Sequence, residues 1–168
     1  PDPVPYNYQG HGKYIDTNGA IAIPDIPGIL SGSYYIILKH RQSIETWSAA
    51  PVSFAGSVIS YDFTTTASQS FGSNQKEMTD GVFGLWGGDA TSMTGNQDGY
   101  VDIFDNNAVF NKSQNGAFGY QAEDMTGDAF VDIFDMVIVF NNMQKGIGMN
   151  TPPFQAKKRI GGGGMKMK

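Results

Sequence analysis

Val101-Asp102-Ile103-Phe104-Asp105 returns unchanged as Val131-Asp132-Ile133-Phe134-Asp135, 30 residues further along the chain. The flanks stay in step. Gly99-Tyr100 precedes the first copy and Ala129-Phe130 the second, and Val109-Phe110-Asn111 is matched by Val139-Phe140-Asn141. Five identical residues with aligned flanks mark an internal duplication. After each copy, Ile133, Val137 and Phe140, and the weaker set Ile103, Asn107 and Phe110, recur at helical spacing. Each unit is therefore expected to be an acidic loop followed by a short helix, with these residues on one face.

The acids of the loops alternate as calcium ligands do. Calcium is a hard cation that takes six to eight oxygens at about 2.3–2.6 Å, and a twelve-residue loop supplies them from positions 1, 3, 5, 7, 9 and 12. In the second copy Asp124, Thr126 and Asp128 fall at 1, 3 and 5, Phe130 offers its carbonyl at 7, and Asp132 and Asp135 stand at 9 and 12. Position 6, where such loops turn sharply, is Ala129, which is costly if its φ is positive. In the first copy Asn96, Asp98, Tyr100, Asp102 and Asp105 fall at 3, 5, 7, 9 and 12, with Gly99 at 6. Strict counting puts Thr94 at position 1, but Asp89 is the better first ligand, displaced by the insertion Thr91–Gly95. Two calcium ions are expected, the second site better formed than the first. The hydrophobic residues at position 8, Val101 and Val131, are expected to pair the loops back to back. The competing account uses these Asp residues as turn formers and helix caps, with Asp105 and Asp135 capping their helices.

Residues 87–145 resemble a type I dockerin, a pair of loop-plus-single-helix repeats in which Asp rather than Glu closes each loop. The stretch GSYYIILKHRQSIETWSAAPVSF, followed by ISYDFTT, also resembles a sandwich module that precedes such repeats at the C-termini of large exported Bacteroidetes proteins. The resemblance implies bacterial secretion, cell-surface or extracellular use, and docking to a cohesin-type receptor. Thr94, Ala129 and the insertion depart from the family's pattern.

Ahead of the repeats the chain reads as β structure. Lys13–Ile15 and Ala20–Ile23 flank Asn18-Gly19, a strong hairpin turn. Ser33–Arg41 reads as a nine-residue strand, with Pro51–Phe54, Val58–Phe63 and Val82–Trp86 as further strands. The expected fold is mainly β with a small α part, an antiparallel β-sandwich followed by a dockerin-like pair of calcium loop–helix repeats. Residues 1–11 form an extended lead-in, 12–87 the sandwich, 88–145 the repeats and 146–168 a Gly-rich basic tail. Calcium is expected to fold the repeats, the sandwich standing without it.

Composition agrees with such a protein. Gly is high at 22 residues, and charged residues make up only 16%. Nine of the 16 acidic residues lie between Asp89 and Asp135, with Lys112 the lone basic residue in that span, and five of 11 basic residues fall in the last 12 positions. Acids so concentrated, and threaded with hydrophobic residues, call for a cation. The absence of cysteine excludes disulfides and thiolate chemistry, and no apolar run approaches the roughly 20 residues of a membrane span. The chain begins at Pro1 without a leader, as a processed product or a piece of something longer does.

Catalytic readings are weak. His40, Ser43 and Glu45 are the types of a hydrolytic triad, but neighbours on a strand and turn rarely converge. His11 and His40 are too few for zinc, and Gly161–Gly164 lacks the Lys-Ser/Thr of a phosphate loop. Trp47, Tyr34 and Tyr35 carry the rings of a carbohydrate platform, though packing accounts for them better. Lys157–Arg159 reads as a solvated tail rather than a nucleic-acid contact. The expected protein is a calcium-binding structural or adhesive module and not an enzyme. Docking to a receptor is the second reading, and a filament subunit whose tail bridges neighbours is the third.

Overall fold

The computed structural model describes Ala22, residues 26–90 and residues 97–153. The lead-in 1–11, the Asn18-Gly19 turn, Thr94, Asn96 and the basic tail from Phe154 lie outside these.

Among the described residues, short antiparallel strands pair in three two-stranded sheets, and two helices follow. The region read as one long strand is two: β1 (Ser33–Tyr34) pairs with β4 (Val52–Ser53), and β2 (Ile37–His40) with β3 (Ser43–Trp47). Between them the ladder is broken at Ile36, whose carbonyl accepts from the Ser48 amide while its own amide donates to Ser48 Oγ. β5 (Lys76–Thr79) and β6 (Val82–Gly84) close a third ribbon. Residues 58–63, read as a strand, form none. Instead, Tyr61 packs edge-on against Phe63 and donates its hydroxyl to the Gln69 carbonyl. Trp47 is buried with Tyr35 edge-on against it, and Tyr34 packs on Phe54, so these rings, the tyrosines and Phe54 half-buried, are engaged with one another. Glu45 is engaged by Lys39 at 2.8 Å and by Trp47 Nε1.

The helices are α1 (Ile103–Gln114) and α2 (Ile133–Met143). Each starts in a capping box, in which the Asp102 or Asp132 side chain caps the first turn and Asp105 or Asp135 bonds back to the cap amide. The caps are thus Asp102 and Asp132, not Asp105 and Asp135, and the two acids at each helix start satisfy amides that a helix leaves orphaned. No helix among the described residues is long and apolar enough to cross a membrane.

The loops do not pair with each other through Val101 and Val131. Each pairs with the segment that follows the other copy's helix. The Val131 amide donates to Ala117 and the Gly119 amide to Ala129, while the Val101 amide donates to Ile147 and the Met149 amide to Gly99. The duplication thereby closes on itself by exchange of short bridges, Phe118 with Phe130 and Tyr100 with Gly148.

Among the described residues, one buried hydrophobic cluster joins the repeats to the β part. Val101, Val109, Val131 and Val139 from the repeats cluster with Ile44 of β3, and Trp86, Met125, Met136 and Ile147 pack around them. Ile44 belongs to the part expected to stand alone, yet its side chain is fully buried among the repeat valines.

Candidate metal centre

The two loops carry one hydrogen-bond scheme. In the second, Asp124 is buried; its Oδ1 accepts from the Gly127 amide at 2.7 Å and its Oδ2 from the Ala129 amide at 3.1 Å. In the first, Asp89 is buried, its Oδ1 accepting from Asp98 at 3.2 Å and its Oδ2 from Gly99 at 3.0 Å. Gly99 and Ala129 hold the same position in their copies, so Asp89 takes the hydrogen bonds of a first-position acid across the insertion. Both position-6 residues have positive φ, 86° at Gly99 and 70° at Ala129.

The twelfth positions match as well. Asp135 is fully buried, its Oδ1 accepting from the amides of Met125 and Thr126 and its Oδ2 from Asp132. Asp105, also fully buried, accepts from Ala90 and Asp102 in the same way. Asp98 and Asp128 each fold back on the amide two residues on, Tyr100 and Phe130, in Asx turns. Asp102 and Asp132 are turned to their helix amides. The Thr126 hydroxyl lies 3.4 Å from Asp124 Oδ1. Asn96 lies outside the described residues.

Among the described residues no three or more His, Cys, Asp or Glu side chains converge as a ready metal cage. The structure brings the first and twelfth acids of each loop into the interior and leaves those at 5 and 9 on their own backbones.

Capping and turn formation account for the N–H bonds but not for the charge. Asp89 and Asp105 are two carboxylates buried close to one another, and burial, with Asp105 beside it, pushes the Asp89 carboxyl up to about 7. A buried carboxylate pair is costly unless a cation neutralises it. Each ionised carboxylate has about four lone-pair sites, so accepting two or three N–H bonds leaves oxygen to offer. An all-oxygen donor set, with carbonyls at Tyr100 and Phe130, suits a hard divalent cation of calcium's size.

Three residues outside the acidic pattern bind these loops to the β2–β3 turn. Gln97 Nε2 donates to the carbonyls of His40, Ser43 and Asp89. Gln42 donates its side-chain amide to the Asp124 carbonyl, and its own carbonyl accepts from Gly88. Arg41 lies over the Tyr120 ring with Nη2 3.9 Å from Asp124 Oδ2. No periodicity or motif marks Arg41, Gln42 or Gln97 in the sequence.

Comparison with protein-family models, with curated proteins and with solved structures finds no match to this chain.

Proposed function

We propose that this protein is a calcium-binding extracellular structural or adhesive module, in which two ions order paired loops and so hold a surface or assembly domain in shape. The single observation that carries the reading is the repeated scheme. Two loops of unequal length bury a first-position and a twelfth-position Asp and give them equivalent amide partners. The ligands would be Asp89, Asn96, Asp98, Tyr100, Asp102 and Asp105 in the first loop, and Asp124, Thr126, Asp128, Phe130, Asp132 and Asp135 in the second. The reading includes dockerin-like repeats on a β-sandwich, a bacterial secreted or cell-surface setting, and no catalytic role.

Thermal unfolding in chelator and in calcium tests it. Free calcium at 100 times the dissociation constant would stabilise the folded chain by about 2.7 kcal/mol per site. Magnesium, which demands a tighter octahedron at about 2.0–2.1 Å, would not replace it. Equal melting in chelator and calcium would contradict the reading.

One observation favours a second reading, in which the module docks a protein such as a cohesin-type receptor or a filament neighbour. Ile103, Phe104 and Phe110 on α1 and Ile133, Phe134, Val137 and Phe140 on α2 are all exposed. Large apolar side chains left exposed in such number on two helices favour association.

A further inference from the structure

The first and second loops meet opposite electrostatic surroundings. Asp89 is faced by the carboxylates of Asp105 and Asp98. Asp124 is faced by a guanidinium, with Arg41 Nη2 3.9 Å from its Oδ2. Arg41 is largely buried there: its guanidinium carbon stands 4.1 Å from the Tyr120 ring centre, and Nη1 is buried without a hydrogen-bond partner among the described residues. A buried, unsatisfied donor costs about 1–3 kcal/mol. Its position beside an acidic loop therefore calls for a reason, and packing on an exposed tyrosine supplies little of one.

Asp124 has little room to serve two cations. Its Oδ1 faces the Gly127 amide and the Thr126 hydroxyl, and its Oδ2 the Ala129 amide and Arg41. Of about four lone-pair sites on a carboxylate, three are thus directed at the loop itself and the fourth at Arg41. The side chain of the next residue, Gln42, holds the Asp124 carbonyl, which fixes the β2–β3 turn against the loop independently of the Arg41 guanidinium.

We infer that Arg41 is a built-in counter-cation for the second loop, competing with calcium for Asp124. Without calcium, the guanidinium neutralises part of the loop's charge and keeps the loop formed. When calcium is taken up, Arg41 yields Asp124, so the metal state of the second loop is transmitted to the turn between β2 and β3. A like charge this close to a divalent ion weakens its binding. The second loop is then the one that holds its shape without metal, at the expense of calcium affinity. The inference rests on the calcium reading above.

Calorimetric titration of the wild-type chain, Arg41→Gln and Arg41→Lys, with unfolding of each in chelator, tests it. Arg41→Gln removes the charge and is expected to tighten one of the two calcium sites by about tenfold or more. The same variant is expected to melt earlier than wild type in chelator. Arg41→Lys keeps a cation and is expected to retain the weaker site. Should Arg41→Gln not fold, Tyr120→Leu, at a residue that is 86% exposed, releases the guanidinium from its ring and is expected to change affinity in the same direction.

Two wild-type sites with an affinity that Arg41→Gln leaves unchanged or weakens would overturn the inference alone. So would Arg41→Lys behaving like Arg41→Gln, since the effect would then be packing and not charge. A wild-type chain that takes up no calcium would overturn the functional reading, and this inference with it.

Discussion

Ala129 turns the second loop at φ 70°, where an L side chain crowds the following carbonyl at a cost of about 1–2 kcal/mol. Ala129→Gly is accordingly expected to stabilise the protein by about 1 kcal/mol, read as a rise in unfolding free energy. Gly99→Ala should do the reverse, by about as much or more, because a Cβ there also meets Met149 Cβ at 3.1 Å. Asp89 sets a pH dependence of unusual sign. Its folded-state pKa, near 7, lies above the usual carboxylate value, so between about pH 4 and pH 7 the folded chain holds a proton that the unfolded chain has released. Stability from this group in chelator is present below pH 4 and is lost as pH rises to 7. Carboxyl NMR in chelator is expected to show Asp89 titrating near 7 and, with calcium bound, well below that; a midpoint near 4 in chelator would contradict the buried pair. At this scale the burial of the first and twelfth acids and the strained Ala129 were legible, because position within a repeated loop reports on backbone and side chain together. Arg41, Gln42 and Gln97 were not. Gln97 reaches carbonyls 54 and 57 residues away and Gln42 one 82 residues away, Arg41 reaches the same distant Asp124, and a lone Arg or Gln carries no pattern that foretells such contacts.

The helices show why their existence was readable and their orientation was not. α2 is apolar on two sides, and the sequence pattern of Ile133, Val137 and Phe140 is the more hydrophobic of them. The buried side instead carries Asp135, Val139 and Asn142, with the side chain of Asn142 donating to the Gly87 carbonyl. The loop-closing acid Asp135 and the core valine share one face because three and four residues separate successive turns, and that leaves Ile133, Val137 and Phe140 outward. Val139→Ala and Val109→Ala are each expected to cost about 2 kcal/mol, since both valines are fully buried. Val137→Ser, at an exposed position, should change stability by less than about 0.5 kcal/mol while weakening any association through this face. Sedimentation with and without the substitution would separate these effects. The strands were legible by composition but not by extent. The stretch 33–41 has β-prone residues throughout, yet the ladder breaks at Ile36, where a Ser48 side chain replaces a backbone partner.

At the scale of the molecule, Ile44 ties the β ribbons to the repeats through one core, and Gln97, Gln42 and Arg41 tie the β2–β3 turn to both loops. Independent survival of the β part in chelator, as the division at residue 87 suggested, does not fit such sharing. Ile44→Ala is expected to cost about 2–5 kcal/mol and to weaken calcium binding as well, because the loops lose the surface they rest on. Unfolding followed by Trp47 and Trp86 fluorescence and by helix content is expected to give coincident transitions, with loops and ribbons melting together. The central claim is two calcium ions held by the duplicated loops. Calorimetric titration of chelator-stripped protein tests it most directly: about two ions per chain are expected, falling to about one in either Asp89→Ala or Asp124→Ala. No calcium heat in the folded chain, or a stoichiometry untouched by both substitutions, would contradict it.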